Sequence, residues 1–127
     1  MGHSDRIVIA DGNFPLESMG KDAIVIRADG HGIVEILDAI LQVFPLDMYT
    51  DKPAVLMQLM DRDVGKVETP IWDEYKSITA KHDERGADAL SAIERFDFYE
   101  EAKKCYAIIA TGESAIYANI MLQKGIV

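Results

Sequence analysis

Cysteine is nearly absent from this sequence of 127 residues, in which Cys105 is the only one. A single cysteine excludes an intrachain disulfide and favours a reducing compartment, so we expect a cytoplasmic protein with a buried, inert thiol. No stretch approaches the ~18 consecutive apolar residues of a membrane span. The chain also does not open on a basic segment followed by an apolar run, so a secretory leader is not expected.

The motifs of common cofactor- and metal-dependent enzymes are missing as well. The sequence contains neither GxGxxG nor a phosphate-binding loop, its three histidines lack metal-ligand spacing, and no Ser or Cys nucleophile motif occurs. We therefore expect neither a cofactor nor a metal. Basic residues are few, with 13 against 22 acidic ones and a net charge of −9. This balance argues against nucleic acid or an anionic membrane as a partner.

What is present describes an ordinary globular chain, with 49% hydrophobic and 28% charged residues. The length suits one domain over residues 1–127. Apolar runs predict strands over 7–10, 23–28, 53–60, 90–95, 106–110 and 117–123. Amphipathic patterns predict helices over 33–44 and 98–105 and a third helix that opens at Thr69-Pro70. Because strands alternate with helices, we expect an α/β fold around a mostly parallel sheet.

The first predicted strand, 7–10, has the imidazole of His3 near its start and the carboxylate of Asp11 directly after its end. Buried strands of α/β proteins commonly deliver polar residues to a ligand at their carboxyl ends, so Asp11 is the first candidate binding residue. The simpler interpretation is that His3 is a frayed terminal residue and Asp11 a turn former before Gly12. The residues themselves leave both interpretations open.

Three further polar residues are candidates because of where they lie. Arg95 ends the fourth predicted strand and is followed by a capped helix, which puts its guanidinium at a strand–helix corner. Tyr117 and Asn119 share a parity and would point the same way in an extended segment. Alternatively, Arg95 pairs with a surface acid and Tyr117 packs in the core.

Five collinear motifs carry a resemblance to a known family: MGHSDRIVIADGNFP at 1–15, SMG at 18–20, RADG at 27–30, RFDFYEEA at 95–102 and TGESAIYANIMLQKG at 111–125. Together they resemble the bacterial ribose pyranase and fucose mutarotase family from Met1 to Val127. Within that family, SMG, RADG and the FYE-x-A segment are more similar to the fucose mutarotase branch. Family chains usually carry a helix before the Gly-His motif, whereas this sequence starts at that motif.

The resemblance implies a mixed central sheet flanked by helices and a cofactor-free enzyme that interconverts the anomers of L-fucose. It implies a homo-oligomer, with ring-shaped decamers known among bacterial members and with sites near subunit contacts. Carried over by position, His3 matches the catalytic histidine and Asp11 the aspartate that binds the sugar. Arg95 matches a basic position that contacts the substrate, and Tyr117-Ala118-Asn119 matches the segment that closes on the sugar.

The residue types suit this chemistry. Interconversion of anomers needs ring opening, rotation and re-closure, with proton transfer in both directions. An imidazole that titrates near neutrality can perform such transfers. Two alternatives remain: D-ribose pyranase with the same machinery, and a monosaccharide-binding module without turnover.

Distance raises one question about His3 and Asp11. If the intervening residues were fully extended, the two would lie roughly 26 Å apart, beyond the reach of one monosaccharide. Either the chain turns sharply around Ser4-Asp5, or the two residues serve a site that a neighbouring subunit completes.

Overall fold

The computed structural model describes residues 1–126, so Val127, the last residue of the predicted domain, lies outside the described residues. Six strands and four α-helices follow one another along these residues. The strands are β1 (Arg6–Ala10), β2 (Ile24–Ala28), β3 (Ala54–Met57), β4 (Leu90–Ile93), β5 (Ala107–Thr111) and β6 (Ile120–Gln123). The helices are α1 (Leu16–Met19), α2 (Ile33–Val43), α3 (Pro70–His82) and α4 (Arg95–Ala102).

The strands form one mixed sheet in the order β2-β5-β1-β6-β3-β4. The pairs β1/β5, β2/β5 and β3/β4 are parallel, and only β6 runs against its neighbours β1 and β3 within this sheet. The predicted α/β class with a mixed, mostly parallel sheet is therefore confirmed. Because β6 is antiparallel to β1, the residues that follow β1 meet the residues that precede β6.

The sheet buries an apolar core on each face. Ile7 and Ile9 of β1 point toward α2 and α3, where they join Leu37 and Tyr75 in one cluster of buried residues. The alternate β1 residues, Val8 and Ala10, join a second cluster that contains α4 residues and Cys105. Because both faces of β1 are buried, its sequence is a continuous apolar run at 7–10.

The two long helices follow their sequence signals closely. α2 buries Ile33, Leu37 and Leu41 and ends before Pro45, as the apolar spacing and the proline predict. α3 opens with Pro70 in its first turn.

Four local predictions were wrong, the first being the third strand, which ends at Met57 rather than at 60. Arg95 was placed at the end of a strand, but it is the first residue of α4, because the Glu94 side chain accepts hydrogen bonds from the backbone N–H groups of Phe96 and Asp97 and caps the helix there. α4 ends at Ala102, so Cys105, expected inside a helix over 98–105, lies beyond it, although it is buried as expected. The final strand starts at Ile120 rather than 117. No helix in the described part of the chain is long and apolar enough to cross a membrane.

Candidate sugar-binding site

A cleft of about 340 Å³ lies where β1 ends and β6 begins. Its volume falls within the range of small-molecule sites. Asp11 and Asn119 both line it, and the Asp11 backbone N–H donates to Asn119 Oδ1 at 2.7 Å. Both residues are buried, at 8% and 5% exposure. The antiparallel pairing of β1 with β6 thus brings two polar residues together that lie 108 positions apart in the chain.

The Asp11 carboxyl group is held in an unusual electrostatic environment. Burial raises its pKa above the ordinary value, and the nearby Glu113 carboxylate acts in the same direction. Backbone N–H groups oppose this, including that of Asn13, which donates to Asp11 Oδ1 at 3.0 Å. A carboxyl group that is costly to ionise gains from hydroxyl groups that come to donate to it.

Arg95 reaches the same cleft from the first turn of α4. Its guanidinium lies 4.9 Å from the centre of the Phe96 ring and 5.9 Å from that of Tyr99, and Nη1 lies 3.2 Å from Met60 Sδ. Arg95 Nε is buried and has no hydrogen-bond partner among residues 1–126. An unsatisfied buried donor is rare in folded proteins, and here it belongs to a side chain that lines the cleft.

Tyr117 forms another part of the wall, and its backbone is in the left-handed region with φ of 55°. Its hydroxyl donates to Asp63 Oδ2 at 2.5 Å and accepts the Met60 N–H at 3.2 Å. Its carbonyl oxygen accepts the Trp72 indole N–H at 2.7 Å. The next residue, Ala118, is fully buried, and its carbonyl oxygen accepts the Tyr75 hydroxyl at 2.7 Å.

His3 lies at the other end of β1. Ser4 has a φ of 72°, so the chain does turn sharply there, but the Ser4 N–H then donates to the Lys124 carbonyl beyond the end of β6. His3 Nε2 is 3.1 Å from Asp47 Oδ1, and the ring packs edge-on to Tyr49 at 5.7 Å between centroids. The five residues of β1 alone separate this end from the cleft by roughly 15 Å. The sharp turn therefore does not bring His3 to Asp11 within one chain.

Asp47, the partner of His3, is a buried carboxylate with several donors. Thr50 Oγ1 donates to its Oδ2 at 2.8 Å, Gln123 Nε2 donates to the same oxygen at 3.1 Å, and the Tyr49 N–H donates to Oδ1 at 3.1 Å. Burial alone would raise the pKa of Asp47, but the hydrogen bonds from Thr50, Tyr49 and His3 outweigh it and lower the pKa. Asp47 is therefore an ionised acceptor that faces a half-exposed imidazole.

The structure thus divides the residues predicted for the site into two groups. Asp11, Arg95, Tyr117 and Asn119 line one cleft, Ala118 lies between two of them, and His3 stands apart. Sequence reasoning missed Asp47, Asp63 and Tyr99. Only Tyr99 carried a local signal, since it lies four residues after Arg95 and so on the same face of α4.

His, Cys, Asp and Glu side chains are the usual protein ligands of metal ions. Within the described residues, no group of three or more His, Cys, Asp or Glu side chains is arranged to hold a metal ion. His31 pairs with Glu35 and His82 with Asp38, each on the exposed surface of α2 or between α2 and α3.

The fold and the cleft together define an α/β protein with a small-molecule site at the carboxyl end of its central strand. Comparisons with known proteins agree with this class. The model of the RbsD / FucU transport protein family matches residues 1–127. The chain is 48% identical to the fucose mutarotase of Homo sapiens, over 99% of this chain and 82% of that protein.

Two solved structures are similar throughout. FucU from Bifidobacterium longum is 64% identical with a TM-score of 0.94, and the match covers 100% of this chain and 89% of that one. The fucose mutarotase from Streptococcus pneumoniae, solved in complex with L-fucose, is 43% identical with a TM-score of 0.89 over 100% and 86% of the two chains. The chain belongs to the RbsD / FucU family.

Proposed function

We propose that this protein is an L-fucose mutarotase, an isomerase that interconverts the α and β anomers of the sugar. The observation that carries the proposal is the cleft in which Asp11, Arg95, Tyr117 and Asn119 converge from separate parts of the chain. Relatives named fucose mutarotase, one of them crystallised with L-fucose, support the choice of sugar.

The lining of the cleft suits a 6-deoxy sugar. The carboxyl group of Asp11, the amide of Asn119 and the guanidinium of Arg95 can bind ring hydroxyls through charge-assisted and neutral hydrogen bonds. The lining also contributes apolar groups from Met57, Val67 and Ile116. L-Fucose carries hydroxyls on its ring and a methyl group at C6, so it matches both kinds of surface. D-Ribose has no such methyl group.

The reaction requires two coordinated proton transfers. A base removes the proton of the anomeric hydroxyl while an acid protonates the ring oxygen, and the bond between the anomeric carbon and the ring oxygen breaks. The open-chain aldehyde rotates about its first carbon–carbon bond, and closure in the reverse sense gives the other anomer. We propose that His3 performs one of these transfers, because an imidazole can act in both directions near neutral pH.

His3 and the cleft belong to opposite ends of β1, so we propose that the working site combines two subunits. One chain supplies Asp11, Arg95, Tyr117 and Asn119, and a neighbouring chain supplies His3 with its partner Asp47. The half-exposed imidazole is suited to this role, since its side chain is 40% exposed while Asp47 is 2% exposed. A homo-oligomer is then a condition for activity.

Saturation-transfer NMR on equilibrated L-fucose tests the proposal. Catalytic amounts of the protein should accelerate exchange between the two anomeric signals well above the rate in buffer. The same measurement on D-ribose distinguishes fucose mutarotase from ribose pyranase. Binding of L-fucose without faster exchange would overturn the proposed activity in favour of a sugar-binding module.

A further inference from the structure

One segment of the cleft lining is tied to Tyr117 by two hydrogen bonds, and only one of them, to the Asp63 carboxylate, involves a side chain of that segment. We define the wall segment as residues 60–67, of which Met60, Arg62, Asp63 and Val67 line the cleft. We infer that Asp63 is a positioning residue that fixes the Tyr117 ring and holds the wall segment against it. The inference rests on the proposed function, since Tyr117 is placed there in the sugar site.

The wall segment is built from short-range contacts. It contains the 3-10 turn Asp61–Asp63, and Lys66 N and Val67 N both donate to the Asp63 carbonyl at 3.0 Å. Local turns of this kind open readily, because they bury little and enclose few residues. The bonds from Tyr117 to Asp63 and Met60 link the segment to the loop that leads into β6.

Tyr117 in turn needs external support. A tyrosine with positive φ is strained, and such a conformation persists only where the surroundings impose it. The Trp72 indole holds its carbonyl oxygen at one end, and Asp63 holds its hydroxyl at the other. Loss of Asp63 would release the ring while leaving the backbone bond to Trp72 in place.

The Tyr117 hydroxyl donates its hydrogen bond to Asp63, and this direction limits how Tyr117 can interact with a sugar. Burial and the bond to Asp63 raise the pKa of Tyr117, so the hydroxyl keeps its proton and donates it to Asp63. The Met60 N–H occupies an acceptor position of the same oxygen. Tyr117 therefore offers a ligand the apolar surface of its ring rather than a transferable proton.

A double-mutant cycle tests this role through L-fucose binding by calorimetry. Asp63→Ala and Tyr117→Phe should each raise the Kd for L-fucose by roughly ten-fold, since both remove the bond between Asp63 and Tyr117, and Tyr117→Phe also removes the bond from Met60. The double variant should bind no worse than Tyr117→Phe alone. The matched control is Asp61→Ala, an exposed acid of the same turn, which should bind like the parent. Additive losses, or parent-like binding by Asp63→Ala, would overturn the inference.

Amide hydrogen exchange in the ligand-free protein gives a second readout that does not depend on activity. The Met60 amide should exchange faster in both Asp63→Ala and Tyr117→Phe and at the parent rate in Asp61→Ala. An unchanged rate in Asp63→Ala contradicts the positioning role. In steady-state kinetics of L-fucose anomer interconversion, Asp63→Ala should raise KM more than it lowers kcat. If the variants show these amide rates but the parent does not accelerate anomer exchange, the positioning role stands and the proposed activity is refuted.

Discussion

The Nε2 atom of His3 lies 3.1 Å from Oδ1 of Asp47, at the end of β1 remote from the cleft that Asp11 and Asn119 line. Because the hydrogen bonds to Asp47 keep it ionised, Nε2 carries the proton of this contact and donates it. In a neutral imidazole the other ring nitrogen, Nδ1, then holds the lone pair. A carboxylate that selects one tautomer in this way leaves the imidazole ready to accept a proton at its other nitrogen.

Replacement of His3 by Gln should remove most of the proposed activity. General acid–base groups contribute typically ~10²–10⁴-fold, so anomer exchange should fall by about that factor. His3 is half-exposed and outside the core, so the unfolding transition should stay near that of the parent. Saturation-transfer NMR measures the exchange, and His31→Gln, which alters an exposed histidine paired with Glu35, is the control. Parent-like exchange in His3→Gln would disprove the assignment.

Asp47→Asn should make stability less dependent on pH in the acid range. The pKa of Asp47 is lowered from 3.8 in the folded chain, so its ionisation stabilises the fold above about pH 4. That contribution is lost as the pH falls through the lowered value. Urea unfolding at several pH values should therefore give a difference between parent and variant that is largest near neutrality and shrinks in acid.

Thr50→Ala is the matched comparison for this prediction, because it removes one of the bonds to Asp47 and retains the carboxylate. Its loss of stability should have the same sign and a smaller size. A difference between parent and Asp47→Asn that stays constant with pH would show that the carboxylate is not the ionised acceptor described above.

Asp11→Asn should have the opposite effect on stability. Burial, with a contribution from Glu113, raises the pKa of Asp11 above 3.8, so the protonated form is favoured in the fold and ionisation destabilises it at neutral pH. The neutral amide should unfold at higher urea than the parent at pH 7, and the gain should disappear near pH 3, where both parent states are protonated. L-Fucose binding should weaken by roughly ten-fold or more, because a strong acceptor is lost. A variant less stable than the parent at pH 7 would contradict this account.

Arg95→Ala should weaken L-fucose binding by roughly 1–3 kcal/mol, the usual effect of removing a buried polar partner. The Arg95 guanidinium lines the cleft, so the variant lacks N–H donors that sugar hydroxyls can accept. Calorimetric titration with L-fucose measures the change. Arg27→Ala, which removes an exposed arginine paired with Asp29, should bind as the parent does. Equal binding by both variants would place the sugar elsewhere.

The fold followed from sequence wherever a pattern repeats over several residues. The apolar run of β1 and the helical spacing of α2 each predicted an element within one or two positions. The position of Arg95 at a strand–helix corner was also predictable. Its exact element was not, because the capping bonds of Glu94 decide where α4 begins.

The site was less predictable because its geometry depends on contacts between distant parts of the chain. Tyr117 and Asn119 were expected to point the same way from an extended segment, yet Tyr117 has positive φ and both still face the cleft. Asp47 is buried and accepts a hydrogen bond from Gln123, which is distant in the chain. No local sequence pattern indicates such a residue. The sequence left open whether a turn at Ser4 brings His3 to Asp11. The structure has the turn, but it places His3 near Lys124 instead.

If the working site joins His3 of one chain to the cleft of another, two impaired variants should restore activity together. A His3→Gln chain retains an intact cleft, and an Arg95→Ala chain retains an intact His3. When the two are co-expressed in equal amounts and assemble at random, about a quarter of the composite sites receive both intact halves. Exchange measured by saturation-transfer NMR should then reach about a quarter of the parent rate, far above either variant alone. Separately purified variants that are mixed without subunit exchange serve as the control and should stay impaired. If instead each site lies within one chain, every site in the co-expressed protein lacks one of the two groups, and activity should equal only the mean of the two variants.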